Sequence, residues 1–472
     1  MNELTEKSAT ELAGMIRMRA VSPVEVVKAY LRRVEKLNPR LNAIVTLAPD
    51  APERARQAEA AIRLNEKTGP LHGVPVTVKD TIETRGLRTT CGSPLRADHV
   101  PNRDAPAVAL LKQAGAIVLG KTNVSELAME LTTDNPVFGR TNNPHDETRT
   151  PGGSSGGEAA AISARLSPAG IGSDLGGSIR VPAHCCGIIG LKPTTNRVPG
   201  GGHLPPITGT FALGACIGPL ARRVEDLALM YHVLTAFDPS ERMIVQTKSG
   251  WEWRREELRG WRVAWYTEDG VVPITTETKR AVEDVVRVLT EAGMTPQEVR
   301  PPGVERGPTL WFSLFAPAAS DFIREMYAGR EDEAGPTFQK MIRSAENPSQ
   351  PAEDEHRAAL IEREHLRGSL IRWMNDKTLI VAPVGAAPAI EHGARRLTIG
   401  DKSVGWFRAF GYAQTFNVFG LPAVSVPAGR SPEGLPIGVQ IIGRPYAENA
   451  VLSAAYLVEQ GVGGWHPSPY LN

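Results

Sequence analysis

Cysteine is scarce: Cys91, Cys185, Cys186 and Cys216 are the four in 472 residues. So few exclude a disulfide framework, and the adjacent pair at 185 and 186 lacks the spacing of metal ligands. They read as small buried side chains in a reduced compartment. An excess of one charge is also missing, with 53 lysines and arginines against 52 aspartates and glutamates, so composition predicts neither nucleic acid nor an anionic membrane as partner. No apolar run approaches the roughly 20 residues that a membrane helix needs. The opening MNELTEKSATELAG is polar and acidic where a signal peptide would be basic and then apolar. A cytoplasmic protein is expected. There is no internal repeat and no low-complexity linker, and 41% hydrophobic residues suffice for a large core.

Glycine (46) and proline (38) are plentiful but scattered, which predicts many sharp turns around regular elements. Glycine concentrates in residues 150–189. Two serine clusters lie there, Gly152-Gly153-Ser154-Ser155-Gly156-Gly157 and Asp174-Leu175-Gly176-Gly177-Ser178-Ile179-Arg180, joined by an alanine-rich segment expected to be helical. Glycines beside a serine let the backbone approach a substrate and aim successive N–H groups at it, as an oxyanion hole requires. A serine nucleophile also needs a base, and neither cluster contains a histidine. Upstream, the alternation from Val74 to Val78 fits a buried strand ending at Lys79. A lysine leaving a buried strand can lose its charge to desolvation and act as a neutral base.

Duller readings compete. Taken alone, GGSSGG is a loop or a phosphate cradle, and Lys79 is a surface lysine at a strand end. No Walker lysine follows either cluster, however. Ser154 also sits in a G-x-S-x-G, but a nucleophile elbow needs a preceding strand, and residues 145–151 (HDETRTP) cannot form one.

Around these motifs the chain reads as alternating helices and strands. Capping boxes at Ser8 and Ser22 start two helices, the second ending at Pro39, and residues 51–66 form a third. A helix (106–114) and a strand (116–119) follow, and a strand at 169–172 leads into the second serine cluster. Residues 240–260 read as a polar connection, 261–266 as a strand, 276–292 as an amphipathic helix and 352–374 as charged helices. Strands at 379–383 and 423–427 precede a last helix at about 447–460.

The segment GVPVTVKD, then GGSSGG, then GSDLGGSIRVPA with its serine 24 residues after the first, resembles the amidase signature family. So do residues 186–194 (CGIIGLKPT), 420–423 (GLPA) and 434–440 (GLPIGVQ), so the resemblance spans nearly the whole chain. It implies an α/β fold whose large mixed, mostly parallel central sheet is covered by helices on both faces. It implies a single domain, 1–472, with N-terminal helices (8–66), a signature core (70–235), a variable pocket region (about 300–378) and a C-terminal part of the core (379–460). By resemblance, Ser178 attacks the amide carbonyl, and the N–H groups of Leu175, Gly176, Gly177 and Ser178 stabilise the oxyanion, each worth about 3 kcal/mol. Ser154, after a cis peptide, relays the proton to neutral Lys79. Asp174 and Arg180 brace the loop. No metal or cofactor is implied, the partner is a small-molecule amide, and a homodimer is left open.

The family includes hydrolases of aryl acylamides, fatty acid amides and some carbamates, and also the glutaminase component of glutamyl-tRNA amidotransferase, which works within a complex. Two stretches depart from the pattern of that component. Residues 195–206 (TNRVPGGGHLPP) lack its tyrosine-glycine and serine-rich turn, and residues 405–420 are aromatic without an acidic residue to grip glutamine. Both favour an apolar acyl or aryl group, and the aromatics of 311–327 are expected to help shape its pocket or to pack as core. A relative that only binds is disfavoured, because all three catalytic positions are present.

Overall fold

The computed structural model describes residues 2–236, 257–344 and 353–471. The expected polar connection at 240–260 lies outside them up to residue 256. Eleven strands form one sheet: β1 (Ile44–Leu47), β2 (Pro75–Lys79), β3 (Ile117–Thr122), β4 (Ala169–Asp174), β5 (Ile189–Lys192), β6 (Cys216–Ala221), β7 (Arg262–Trp265), β8 (Thr295–Glu298), β9 (Thr378–Pro383) and, after the small two-stranded ribbon of β10 (Arg396–Ile399) and β11 (Lys402–Gly405), β12 (Ala423–Arg430) and β13 (Pro436–Ile442). The order across the large sheet is β1-β3-β2-β4-β6-β5-β12-β13-β9-β7-β8.

The α/β architecture with a mixed sheet is as expected. Parallel pairing is concentrated in two blocks, β3-β2-β4 and β9-β7-β8. Between them, and at β1, neighbours run antiparallel, so among the described residues six of the ten neighbouring pairs are antiparallel. For β12 and β13 the reason is local: the six-residue spacing from Arg430 to Pro436 allows only a hairpin, whereas a parallel partner needs a long crossover.

Side-chain alternation sorts the apolar residues onto two faces. In β9, Leu379 and Val381 enter one core while Ile380 and Ala382 enter the other. The helices Thr276–Glu291 and Glu448–Val462 cover the first face, and Gly307–Tyr327 and Gly411–Val418 cover the second. Each fully buried aliphatic side chain there contributes about 2 kcal/mol.

Local sequence predicts many boundaries well. Ser8 and Ser22 each accept from the N–H three residues on, at 3.0 and 3.2 Å, and Glu11 and Glu25 reach back to complete both capping boxes. Pro39 does not end its helix, which runs Pro23–Leu41. A proline in the last turn removes only one hydrogen bond, and the helix stops instead at Asn42, whose φ of 50° is left-handed. Among the described residues no helix is long and apolar enough to cross a membrane.

Candidate active site

The parallel block puts the C-terminal ends of β2 and β4 side by side, the edge at which open α/β sheets bind ligands. Lys79 ends β2 and Asp174 ends β4, while the first serine cluster leads into the helix that begins at Gly156. Glu158, in the first turn of that helix, accepts from the Thr77 and Thr122 hydroxyls of β2 and β3 and so ties helix to sheet. Gly170 of β4 makes this possible, because a Cβ there would lie 2.0 Å from the Glu158 carboxylate.

Lys79 is fully buried, and its Nζ donates to Ser154 Oγ at 2.6 Å and to Ser173 Oγ at 3.0 Å. Burial lowers its pKa to about 7, against partial compensation from Cys91, Asp174 and Glu158. The lysine is therefore poised to exchange a proton near neutrality. The Gly153–Ser154 peptide is cis. Ser178 lines the same cavity as Ser154, Ser173 and Asp174. Its carbonyl accepts from Ser155 N–H at 3.2 Å, which joins the two serine clusters. Among the described residues the Ser178 hydroxyl has no hydrogen-bond partner, so the Lys79–Ser154 pair is formed while the Ser154–Ser178 link is not.

The loop after β4 is wound around Asp174. Its carboxylate accepts from Gly177 N–H (2.8 Å), Ile179 N–H (3.1 Å), Arg180 Nε (3.1 Å) and Asn417 Nδ2 (2.9 Å). Burial alone would raise its pKa, but the Arg180 charge and these bonds hold it well below the usual carboxylate range. Arg180 is also fully buried and reaches Gln440 Oε1 (2.8 Å) and Asn417 Oδ1 (2.6 Å). Asp174 and Arg180 thus brace the loop from behind. Gly177 has φ of +103°, which a side chain would resist.

This winding narrows the expected oxyanion donors. The Gly177 N–H is given to Asp174, whereas among the described residues those of Leu175, Gly176 and Ser178 have no acceptor. Trp311 holds the loop from the other side, its Nε1 donating to Leu175 O at 2.8 Å.

The cavity is walled by Ala128, Met129, Leu175, His203, Pro205, Ile207, Phe211 and Ala215 beside the serines and Asp174. Its apolar wall comes from residues 203–215 and 128–129. Most of the aromatics of 311–327 pack elsewhere: Trp311 and Phe315 belong to the second core, and Tyr327 bonds Ser93 at 2.7 Å and Glu126. Tyr412 and Phe416 of the 405–420 stretch are core residues too. Sequence reasoning missed Ser173, Glu158, Asn417 and His203. Ser173 sits directly before Asp174 in the second cluster, a signal that strand alternation could have used; the other three carry no local pattern.

A buried lysine bonded to a serine, with a second serine and open loop N–H groups on one cavity, fits an amidohydrolase, an enzyme acting on carbon–nitrogen bonds. Residues 25–452 match the family described as Amidase, and the chain belongs to that family. It is 34% identical to the A subunit of glutamyl-tRNA(Gln) amidotransferase from Carboxydothermus hydrogenoformans, over 97% of this chain and 98% of that protein. Among solved structures, a protein from a vestigial complex bearing on the origins of an s-triazine catabolic enzyme superposes with a TM-score of 0.89, at 28% identity over 98% of this chain and 99% of that one. A bacterial aryl acylamidase of the amidase signature family superposes with 0.86, at 27% identity over 96% of each chain.

Proposed function

We propose that this chain hydrolyses amides of small apolar or aryl groups through an acyl-enzyme on Ser178. Neutral Lys79 takes the Ser154 proton as Ser154 takes that of Ser178; the Ser178 oxygen bonds to the carbonyl carbon, and the N–H groups of Leu175, Gly176 and Ser178 receive the oxyanion. Collapse breaks the C–N bond, with the proton returned through Ser154 to the leaving nitrogen. Water then attacks the ester by the same relay. The observation that carries the substrate reading is the cavity wall: Met129, Leu175, Ile207, Phe211 and Ala215 stand beside the serines, and no lysine or arginine is among the lining residues. Esters and carbamates present the same carbonyl and belong in the same assay.

A second reading, the glutamine-hydrolysing component of an amidotransferase, is favoured by the curated relatives, which bear that enzyme's name at 31–34% identity over 96% or more of this chain. The α-carboxylate of glutamine would meet no lysine or arginine among the lining residues.

The test is nitroaniline release from 4-nitroanilides of increasing acyl length, on the purified chain and on Ser178→Ala. Turnover by the wild type alone, lost in the variant, supports a self-sufficient amidase. Silence toward every anilide, with glutamine hydrolysed once the partner proteins of an amidotransferase are added, establishes the second reading instead.

A further inference from the structure

One polar side chain in the cavity wall has no part in the proton relay. His203 follows three glycines and is held by its neighbours: it forms a bridge with Ile82, Leu204 N–H donates to Thr81 O at 2.9 Å, and Cys91 Sγ lies 3.3 Å from Leu204 O. Thr81 and Ile82 lie just beyond Lys79, so the histidine is fixed against the end of the strand that supplies the base. Its Nδ1 is 2.6 Å from Pro205 O. A carbonyl oxygen only accepts, so Nδ1 carries the hydrogen and Nε2 is left with a bare lone pair. That Nε2 is buried and has no partner among the described residues. Burial pushes the imidazole pKa down to about 3, opposed by the Pro205 hydrogen bond and aided by the nearby Lys79 charge, so the ring is neutral whenever the relay operates. A buried acceptor without a donor is unfavourable, and a ligand N–H would relieve that cost.

We propose that His203 Nε2 accepts the N–H of the scissile amide, so that the site selects substrates with a hydrogen on the reacting nitrogen over esters and N,N-disubstituted amides. This rests on the reading of the cavity as the acyl-transfer site. His203 moves no proton; it holds the nitrogen in line for the one returned through Ser154. A site with a buried acceptor discriminates strongly against analogues that lack the donor.

The experiment compares 4-nitroacetanilide with 4-nitrophenyl acetate, which form the same acetyl-enzyme, so that kcat/KM reports acylation in both. In His203→Phe, kcat/KM for the anilide is expected to fall about 10- to 100-fold, and for the ester by less than about threefold. His203→Gln, which can place an amide oxygen near the position of Nε2, should recover part of the anilide rate. N-methyl-4-nitroacetanilide should be a poor substrate of the wild type, an expectation that needs no variant to fold. Equal losses on anilide and ester, an unchanged anilide rate in both variants, or wild-type cleavage of the N-methyl compound as fast as its parent would each overturn the inference and leave the amidase reading intact. A wild type that cleaves neither the anilide nor the ester removes that reading and the inference together.

Discussion

Lys79 and Lys121 lie on neighbouring parallel strands one register step apart, Val78 pairing with Lys121 and Lys79 with Thr122, so they leave opposite faces of the sheet, and neither side chain is exposed at all. Their partners differ. Lys79 Nζ meets two serine hydroxyls, whereas Lys121 Nζ meets the Ile82 carbonyl, Thr89 Oγ1 at 2.9 Å and the Asp80 carboxylate at 3.9 Å. Burial lowers both pKa values, Lys79 to about 7 and Lys121 to about 8, the latter against the pull of Asp80. Hydroxyls can donate as well as accept, so they serve an amine in either protonation state; a carboxylate and a carbonyl only accept, and favour the charged form. Under the proposed function, two lysines of similar burial are thus separated into a proton carrier and a structural cation by what their nitrogens touch.

The largest effect that would sharpen this contrast is a paired substitution. Lys79→Met should cost about 10⁴-fold in kcat/KM for an anilide with the fold retained, as expected for loss of a general base. Lys121→Met should leave kcat/KM of the folded enzyme within a few-fold but lower the unfolding free energy by about 1–3 kcal/mol, because Asp80 loses its cation and Ile82 O its donor. Urea denaturation beside steady-state kinetics reads both, and equal kinetic losses would break the distinction. A second test is pH. With its folded pKa lowered to about 7, Lys79 is protonated below that pH and cannot accept, so kcat/KM should be flat above about 7 and fall about tenfold per unit beneath it. A profile level down to pH 5 would remove Lys79 from the role. The smallest effect belongs to Ser173→Ala. Losing one acceptor from the ammonium favours the neutral amine, so the acid limb should move down by about 0.5–1 unit. An unmoved limb would show that Ser173 does not tune the lysine.

Much of the fold was legible because it is written locally. The capping boxes at Ser8 and Ser22, the strand ending at Lys79 and the helix from Thr276 all depend on residues within a few positions of one another. Antiparallel pairing in the middle of the sheet was not, since β5, β12 and β13 are buried on both faces and show no alternation of polar and apolar residues that would give them away. The candidate site divides in the same way. Lys79, Ser154, Ser178, Asp174 and Arg180 sit in motifs whose spacing is itself a signal. The cavity wall does not: Met129, Ile207 and Phe211 look like any apolar residues, while the more conspicuous Phe315 and Phe416 do not line it.

What the sequence determined alone was the set of candidate reacting groups and the backbone beside them, because serine, lysine and glycine at those positions carry their chemistry and conformational freedom wherever the chain places them. Tertiary structure decided the rest. Only the packed sheet strips water from Lys79, only the approach of Asn417 and Gln440 from distant parts of the chain completes the shell around Asp174 and Arg180 that fixes which loop N–H groups stay open, and only the folded cavity leaves His203 Nε2 without a partner among the described residues. Desolvation and hydrogen-bond satisfaction are properties of a surrounding, and a surrounding exists only once the chain has closed around it.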